Sequence, residues 1–200
     1  MERRELLKMI ALLTGGVMIG GNALLVGCNP EKRNEAIAFS VEDQKFLDEV
    51  ADTILPATKS PGAKAAKTGS FMTLMINDCY EEKDQKIFHK GIDKLNDACE
   101  KMHNVGFIKA TAEQKHLLLV ALDKEAKEYQ SEKNEKDEIE RQKNKEYEGQ
   151  PNHYFTIMKQ LTLLGYFTSE PGCTEALRYI AVPGRYEGSV PYKKGDRAWT

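Results

Sequence analysis

Residues 153–169 read HYFTIMKQLTLLGYFTS, and beyond the first 27 residues no other stretch of the chain is as hydrophobic. Phe155, Met158, Leu161, Leu164 and Gly165 recur there at short helical intervals, which is the spacing of a helix face. A helix this apolar has to be covered on most sides. The segment predicts a central buried helix, and the remaining chain must supply what surrounds it.

What surrounds it is predicted to be helical too. Ser40 followed by Asp43 is an acidic relative of a capping box, and Phe46, Leu47, Val50, Ile54 and Leu55 then share one face until Pro56 stops the helix. A loop over ATKSPGAKAAKTGS precedes a second helix marked by Phe71, Leu74, Met75 and Ile76 and ending near Tyr80. Ile87, Phe88, Ile92 and Leu95 define a third, running to about Met102. Thr111 and Gln114 form a Thr-x-x-Gln capping box ahead of a fourth, and EPGCTEALRYI is predicted as a last short helix. No segment alternates as a strand would. The predicted fold class is all-α, a small helical bundle with an irregular C-terminal arm.

Two stretches stand apart from the bundle. Residues 125–149 form a charged insertion, overlapping a run from Asp123 to Glu148 that is mostly charged. Opposite charges four apart, such as Glu132 with Lys136, Lys136 with Glu140 and Asp137 with Arg141, support a solvated helix only weakly. The run is read as a protruding helix or a mobile excursion. The second stretch is the arm, residues 182–200, VPGRYEGSVPYKKGDRAWT. Its prolines and glycines exclude a helix, yet it carries Arg185, Tyr186, Tyr192, Arg197 and Trp199, residue types enriched in binding hot spots. Such an arm lies either on its own bundle or on a partner. The formal net charge of −2 and the pI near 6.1 give no electrostatic footprint for nucleic acid.

The N-terminus has the layout of an export signal. MERRELLK is a net-positive start, an apolar run follows, and Gly27-Cys28 closes it. A retained transmembrane anchor is disfavoured by Asn22 and two Gly-Gly pairs. Arg3-Arg4-Glu5-Leu6-Leu7-Lys8 is similar to the twin-arginine export motif. Leu25-Val26-Gly27-Cys28 is similar to a bacterial lipobox, with Cys28 as the lipid attachment point and residues 28–39 as a tether. Cleavage before Cys28 removes three cations and two carboxylates, taking the formal charge from −2 to about −3. The expected location is the periplasmic side of a membrane, as an anchored lipoprotein.

Catalytic patterns are sparse. The sequence holds no dinucleotide fingerprint, P-loop, haem-attachment motif or His-Glu-x-x-His. Cys99 and His103 lie four apart, a metal-ligand spacing, but two ligands do not make a structural metal site, and His89 is about 15 Å along the same helix from Cys99. His116 and His153 have no partner in sequence that marks a triad. A Cys79–Cys99 disulfide is disfavoured, because about fifteen helical residues, roughly 22 Å, separate the start of the third helix from Cys99. Cys173 is the better candidate for an interchain thiol, with a plain free thiol as the alternative. No catalytic, cofactor or metal residue is assigned in this chain.

ADTILPAT with SPGAKAA (51–66), MINDCY (75–80), KQLTLLGYFTSEPG (159–172) and VPGRYEGSVPYKKGDRAW (182–199) together resemble the gluconate 2-dehydrogenase subunit 3 family. The resemblance implies a non-catalytic small subunit of a membrane-associated sugar, sugar-acid or polyol dehydrogenase. FAD would sit in a large partner subunit of the GMC type, with a cytochrome c or quinone-linked acceptor taking the electrons. The small subunit of such complexes carries the export signal for its partner. A stand-alone lipoprotein that acts as a binding or structural module is the alternative.

Overall fold

The computed structural model describes residues 39–182 and 184–199. The chain divides into two units, Met1–Ala36 and Ile37–Thr200; Arg3, Arg4 and Cys28 lie outside the described residues. The second unit is all-α, with five α-helices: α1 (Val41–Ile54), α2 (Thr68–Cys79), α3 (Glu82–His103), α4 (Ala112–Lys143) and α5 (Tyr154–Phe167). A short 3₁₀ turn covers Phe107–Lys109, and a single π turn covers Gly172–Ala176.

Local chemistry sets most helix ends. Ser40 Oγ accepts from the Asp43 amide at 3.0 Å, and the Asp43 carboxylate accepts from the Ser40 amide at 2.8 Å. Thr111 and Gln114 repeat the arrangement at the start of α4, at 3.3 and 2.9 Å. Each cap satisfies amides that a helix start leaves without partners, an effect of about 1 kcal/mol. Pro56 follows the end of α1, and Asn104, in the left-handed region at φ 55°, ends α3. α2 begins three residues before Phe71, because the Gly69 amide finds the Asp48 carboxylate of α1 at 2.8 Å and Thr68 Oγ1 bonds the Ala63 carbonyl at 2.7 Å.

α5 is the hub and touches all four other helices. Phe155, Ile157, Met158 and Leu161 are buried along it, against a core that includes Leu47, Met72, Phe88, Leu95 and Leu118. Full burial of side chains of this size contributes about 1.5–3 kcal/mol each. Two glycines let the helices close on it. At Gly91 of α3 a Cβ would lie 2.6 Å from Tyr154, and at Gly165 of α5 a Cβ would lie 2.6 Å from the Phe71 ring. Tyr166 donates its hydroxyl to the Pro61 carbonyl at 2.6 Å, fastening the α1–α2 loop to α5.

The structure departs from the sequence reading at three places. Leu164, placed by its spacing on the buried face of the central helix, is 46% exposed, with Leu163 and Phe167 beside it. Met158, Leu161 and Gly165 do face inward, while Leu164 falls four residues after exposed Gln160 and shares its side of the helix. The last short helix is only the π turn, closed by the Leu177 amide on the Gly172 carbonyl at 3.0 Å. It stops there because the next amide, Arg178, is bonded to the Ala198 carbonyl at 2.8 Å.

The third departure concerns what covers the charged run, which is helical as one of the two readings has it. The run continues α4 without a break to Lys143, for 32 residues in all, or about 48 Å. The segment 144–153 returns along it. Asp137, 1% exposed, accepts from Lys133 Nζ at 2.8 Å, the Tyr147 hydroxyl at 3.1 Å and the Gln150 amide at 3.1 Å. Asp137 thus pairs with Lys133 rather than with Arg141. Tyr129 donates to the Pro151 carbonyl at 3.1 Å, and Lys83 reaches Glu148 at 3.5 Å.

Candidate interaction surface

Several titratable groups of the bundle are tied into structural contacts. Lys115, nearly buried, donates to Glu49 at 2.6 Å and lies 5.4 Å over the Phe107 ring. Lys64 reaches the other Glu49 oxygen. Hydrogen bonds from Lys115 and then Lys64 hold the Glu49 carboxyl below its ordinary range. The bond from Lys133 does the same for Asp137, supported by the Gln150 amide and Tyr147.

His153, His89 and Cys173 make structural contacts as well. His153 accepts from the Phe155 amide through Nδ1 at 3.3 Å, capping α5, and burial pushes its pKa down. The His89 ring stacks on Phe39 with centroids 3.8 Å apart. Cys79 is an exposed free thiol and Cys99 a buried one, whose pKa burial pushes up. Cys173, half-buried, donates its thiol to the Phe167 carbonyl at 3.1 Å and is not bridged to Cys79 or Cys99. Among the described residues no three His, Cys, Asp or Glu side chains gather as metal ligands. No helix of the described residues is long and apolar enough to cross a membrane.

The five arm residues divide into two groups. Arg197 donates to the carbonyls of Glu175 and Thr174, at the open end of the π turn. Trp199 pairs with Arg178 in an isolated parallel bridge, and the Arg178 guanidinium lies 4.4 Å over its ring. These contacts close the segment from Arg178 to Trp199 into a loop. Arg185, Tyr186 and Tyr192 lie on the loop itself. Arg185 forms an exposed ion pair with Glu187 at 2.6 Å, while Tyr186 is 94% and Tyr192 73% exposed. Gly184 and Gly195 shape the loop in left-handed conformations, at φ +70° and +96°, that other residues adopt reluctantly. Asp196 stabilises the second turn by accepting from the Lys193 amide at 3.0 Å.

The structure adds a second exposed surface that the sequence reading does not contain. Leu163, Leu164 and Phe167 form an outward apolar stripe on the last two turns of α5, and Leu74 of α2 is exposed as well. The signal is present in the sequence: a helix with apolar residues on most of its circumference has more than one face to cover. The loop base adjoins this end of α5, since Cys173 of the π turn bonds Phe167.

The described residues thus form an all-α bundle that presents an aromatic loop and an apolar helix end to solvent. The chain belongs to the gluconate 2-dehydrogenase subunit 3 family, which it matches over residues 41–184. It is accordingly a subunit of a multi-subunit dehydrogenase, an oxidoreductase. The match runs from α1 into the loop, and Arg185 to Trp199 lie beyond it. Comparison with curated proteins and with solved structures gave no match.

Proposed function

We propose that this chain is the non-catalytic accessory subunit of an exported, membrane-associated, FAD-dependent dehydrogenase of the GMC type acting on gluconate, a related sugar acid, a sugar or a polyol. The family match carries the reading. In this reading Arg3 and Arg4 direct the folded pair through the twin-arginine route, and lipid on Cys28 holds it at the periplasmic face of the membrane. The partner binds FAD and oxidises the substrate, and a cytochrome c or quinone-linked acceptor takes the electrons. The exposed arm and the apolar end of α5 support a stabilising contact with that partner, because aromatic and apolar side chains left in water gain most when covered.

The test is capture of the full-length chain from its native membranes, with an affinity tag in the exposed turn at residues 144–146, away from both termini. The expected eluate contains a large flavoprotein in equal amount, with flavin absorbance and dehydrogenase turnover on sugar acids or sugars. Replacing Arg3 and Arg4 by lysine is expected to leave both proteins in the cytoplasm, and Cys28→Ser to release both from the membrane. A colourless eluate holding the chain alone would refute the reading and leave a stand-alone lipoprotein.

A further inference from the structure

We infer that the C-terminal arm is a clasped recognition loop, in which Arg178, Arg197 and Trp199 lock the base so that Tyr186 and Tyr192 are presented to a carboxylate-bearing cleft on the large dehydrogenase subunit. The inference rests on the subunit reading above and assigns separate tasks to the arm residues.

The clasp is defined by contacts of three kinds. The Arg178 amide bonds the Ala198 carbonyl at 2.8 Å, the Arg178 guanidinium stacks 4.4 Å from the Trp199 ring, and Arg197 bonds π-turn carbonyls. The last two place cations on an aromatic face and at the carbonyl end of a helical turn, both favourable positions for positive charge. None of them involves the exposed ring of Tyr186 or Tyr192. Closing the base restricts the loop before any partner arrives, so less conformational freedom is lost on binding.

A tyrosine 94% exposed makes almost no packing contact with its own fold. Tyrosine suits recognition because it offers a large amphipathic surface at the cost of few rotatable bonds. The charge of the loop selects the partner surface. From Arg178 to Trp199 there are five cations against two carboxylates. Arg178 and Arg197 are engaged in the clasp, and Arg185 is paired with Glu187. Lys193 and Lys194 remain beside Tyr192 with no ion pair among the described residues, so a surface bearing Asp or Glu is the complementary one.

The experiment uses the tagged full-length chain and the flavoprotein that co-purifies with it, with retained flavin per mole of chain as the readout. Tyr186→Ala with Tyr192→Ala is expected to lower retention at least tenfold without increasing chymotryptic cleavage elsewhere in the free chain. Trp199→Ala is expected to lower retention and also to speed cleavage at Tyr186 and Tyr192, because the loop opens. Trp199→Phe, which keeps a ring under Arg178, is expected to restore both to within about threefold. Lys193→Glu with Lys194→Glu is expected to weaken retention most at low salt. Full retention by the double tyrosine variant, or by Trp199→Ala, would overturn the inference while leaving the subunit reading intact. The same variants are also tested for binding to anionic phospholipid vesicles, and loss of that binding with the flavoprotein still retained would overturn the inference in favour of a membrane contact. A wild-type chain that captures no flavoprotein would overturn the subunit reading, and the inference with it.

Discussion

Replacing Gly91 by alanine sets two effects of opposite sign against each other. In a helix interior alanine is favoured over glycine by about 0.8–1.0 kcal/mol, so on local grounds the change should stabilise α3. The tertiary structure opposes it. A Cβ at position 91 would lie 2.6 Å from Cβ, Cγ and Cδ2 of Tyr154, about 1 Å inside the usual carbon–carbon contact of roughly 3.5–4.0 Å. Rotating the tyrosine ring gives no escape, because its Cβ is fixed by the backbone of α5. The residue is 6% exposed, with the His153 ring 4.4 Å away. The first turn of α5 must therefore move outward, and overpacking of this kind costs about 1–3 kcal/mol. Since the clash is with a backbone-fixed atom in the hub helix, the upper half of that range applies. Against a gain of about 1 kcal/mol, the net loss is about 1–2 kcal/mol. For a unit of this size that lowers the midpoint of thermal unfolding by roughly 2–8 °C. Urea and thermal denaturation followed by far-ultraviolet circular dichroism measure it directly. A variant as stable as the wild type, or more stable, would show that helix propensity wins and that α3 and α5 do not approach as closely as described.

Three further outcomes are expected. Tyr166→Phe removes the bond to the Pro61 carbonyl and should cost about 1–2 kcal/mol, read as a lower urea midpoint with an unchanged slope. Asp137→Asn should open the return segment, seen as faster amide exchange over residues 144–152 at neutral pH. In the wild type the Asp137 carboxyl is held below its unfolded value of 3.8, so its contribution is fully present above that pH and is lost as pH falls through the lower folded value; the variant should lack this acid-dependent loosening. Alkylation mapped by mass spectrometry should label exposed Cys79 at once and buried Cys99, whose thiol is pushed up by burial, only on unfolding; prompt labelling of Cys99 in the native protein would contradict its place in the core.

The parts of the fold that are legible in the sequence are those that short-range chemistry decides. Ser40 with Asp43 and Thr111 with Gln114 are capping pairs three residues apart, and Pro56 acts at its own position, so the starts of α1 and α4 and the end of α1 follow from local pattern. Leu164 escapes such reasoning because the apolar run around it has no single polar stripe to fix the helix rotation. The rotation is set instead by the close approaches at Gly91 and Gly165, which involve residues from distant helices. In sequence Asp137 is one more solvated charge, since its partners Tyr147 and Gln150 lie on a returning segment whose path the charge pattern does not encode. In the arm, composition singles out Arg185, Tyr186, Tyr192, Arg197 and Trp199 together. It does not separate them, because the separation depends on Arg178, which meets Trp199 across the whole loop.

The central position of α5 has a consequence for how the protein is made. α5, which like α1 and α3 touches all four other helices, is the last of the five to leave the ribosome. Until residue 167 has emerged, α1 to α4 lack the buried side chains that α5 supplies, and the fastening of Pro61 by Tyr166 spans 105 residues. Contacts of such long range are slow to form, so the core of the bundle is expected to be completed only after α5 has been made. A chain interrupted anywhere before α5 would expose Leu47, Met72, Phe88 and Leu95 to water, presenting to chaperones and proteases a surface that the finished protein hides.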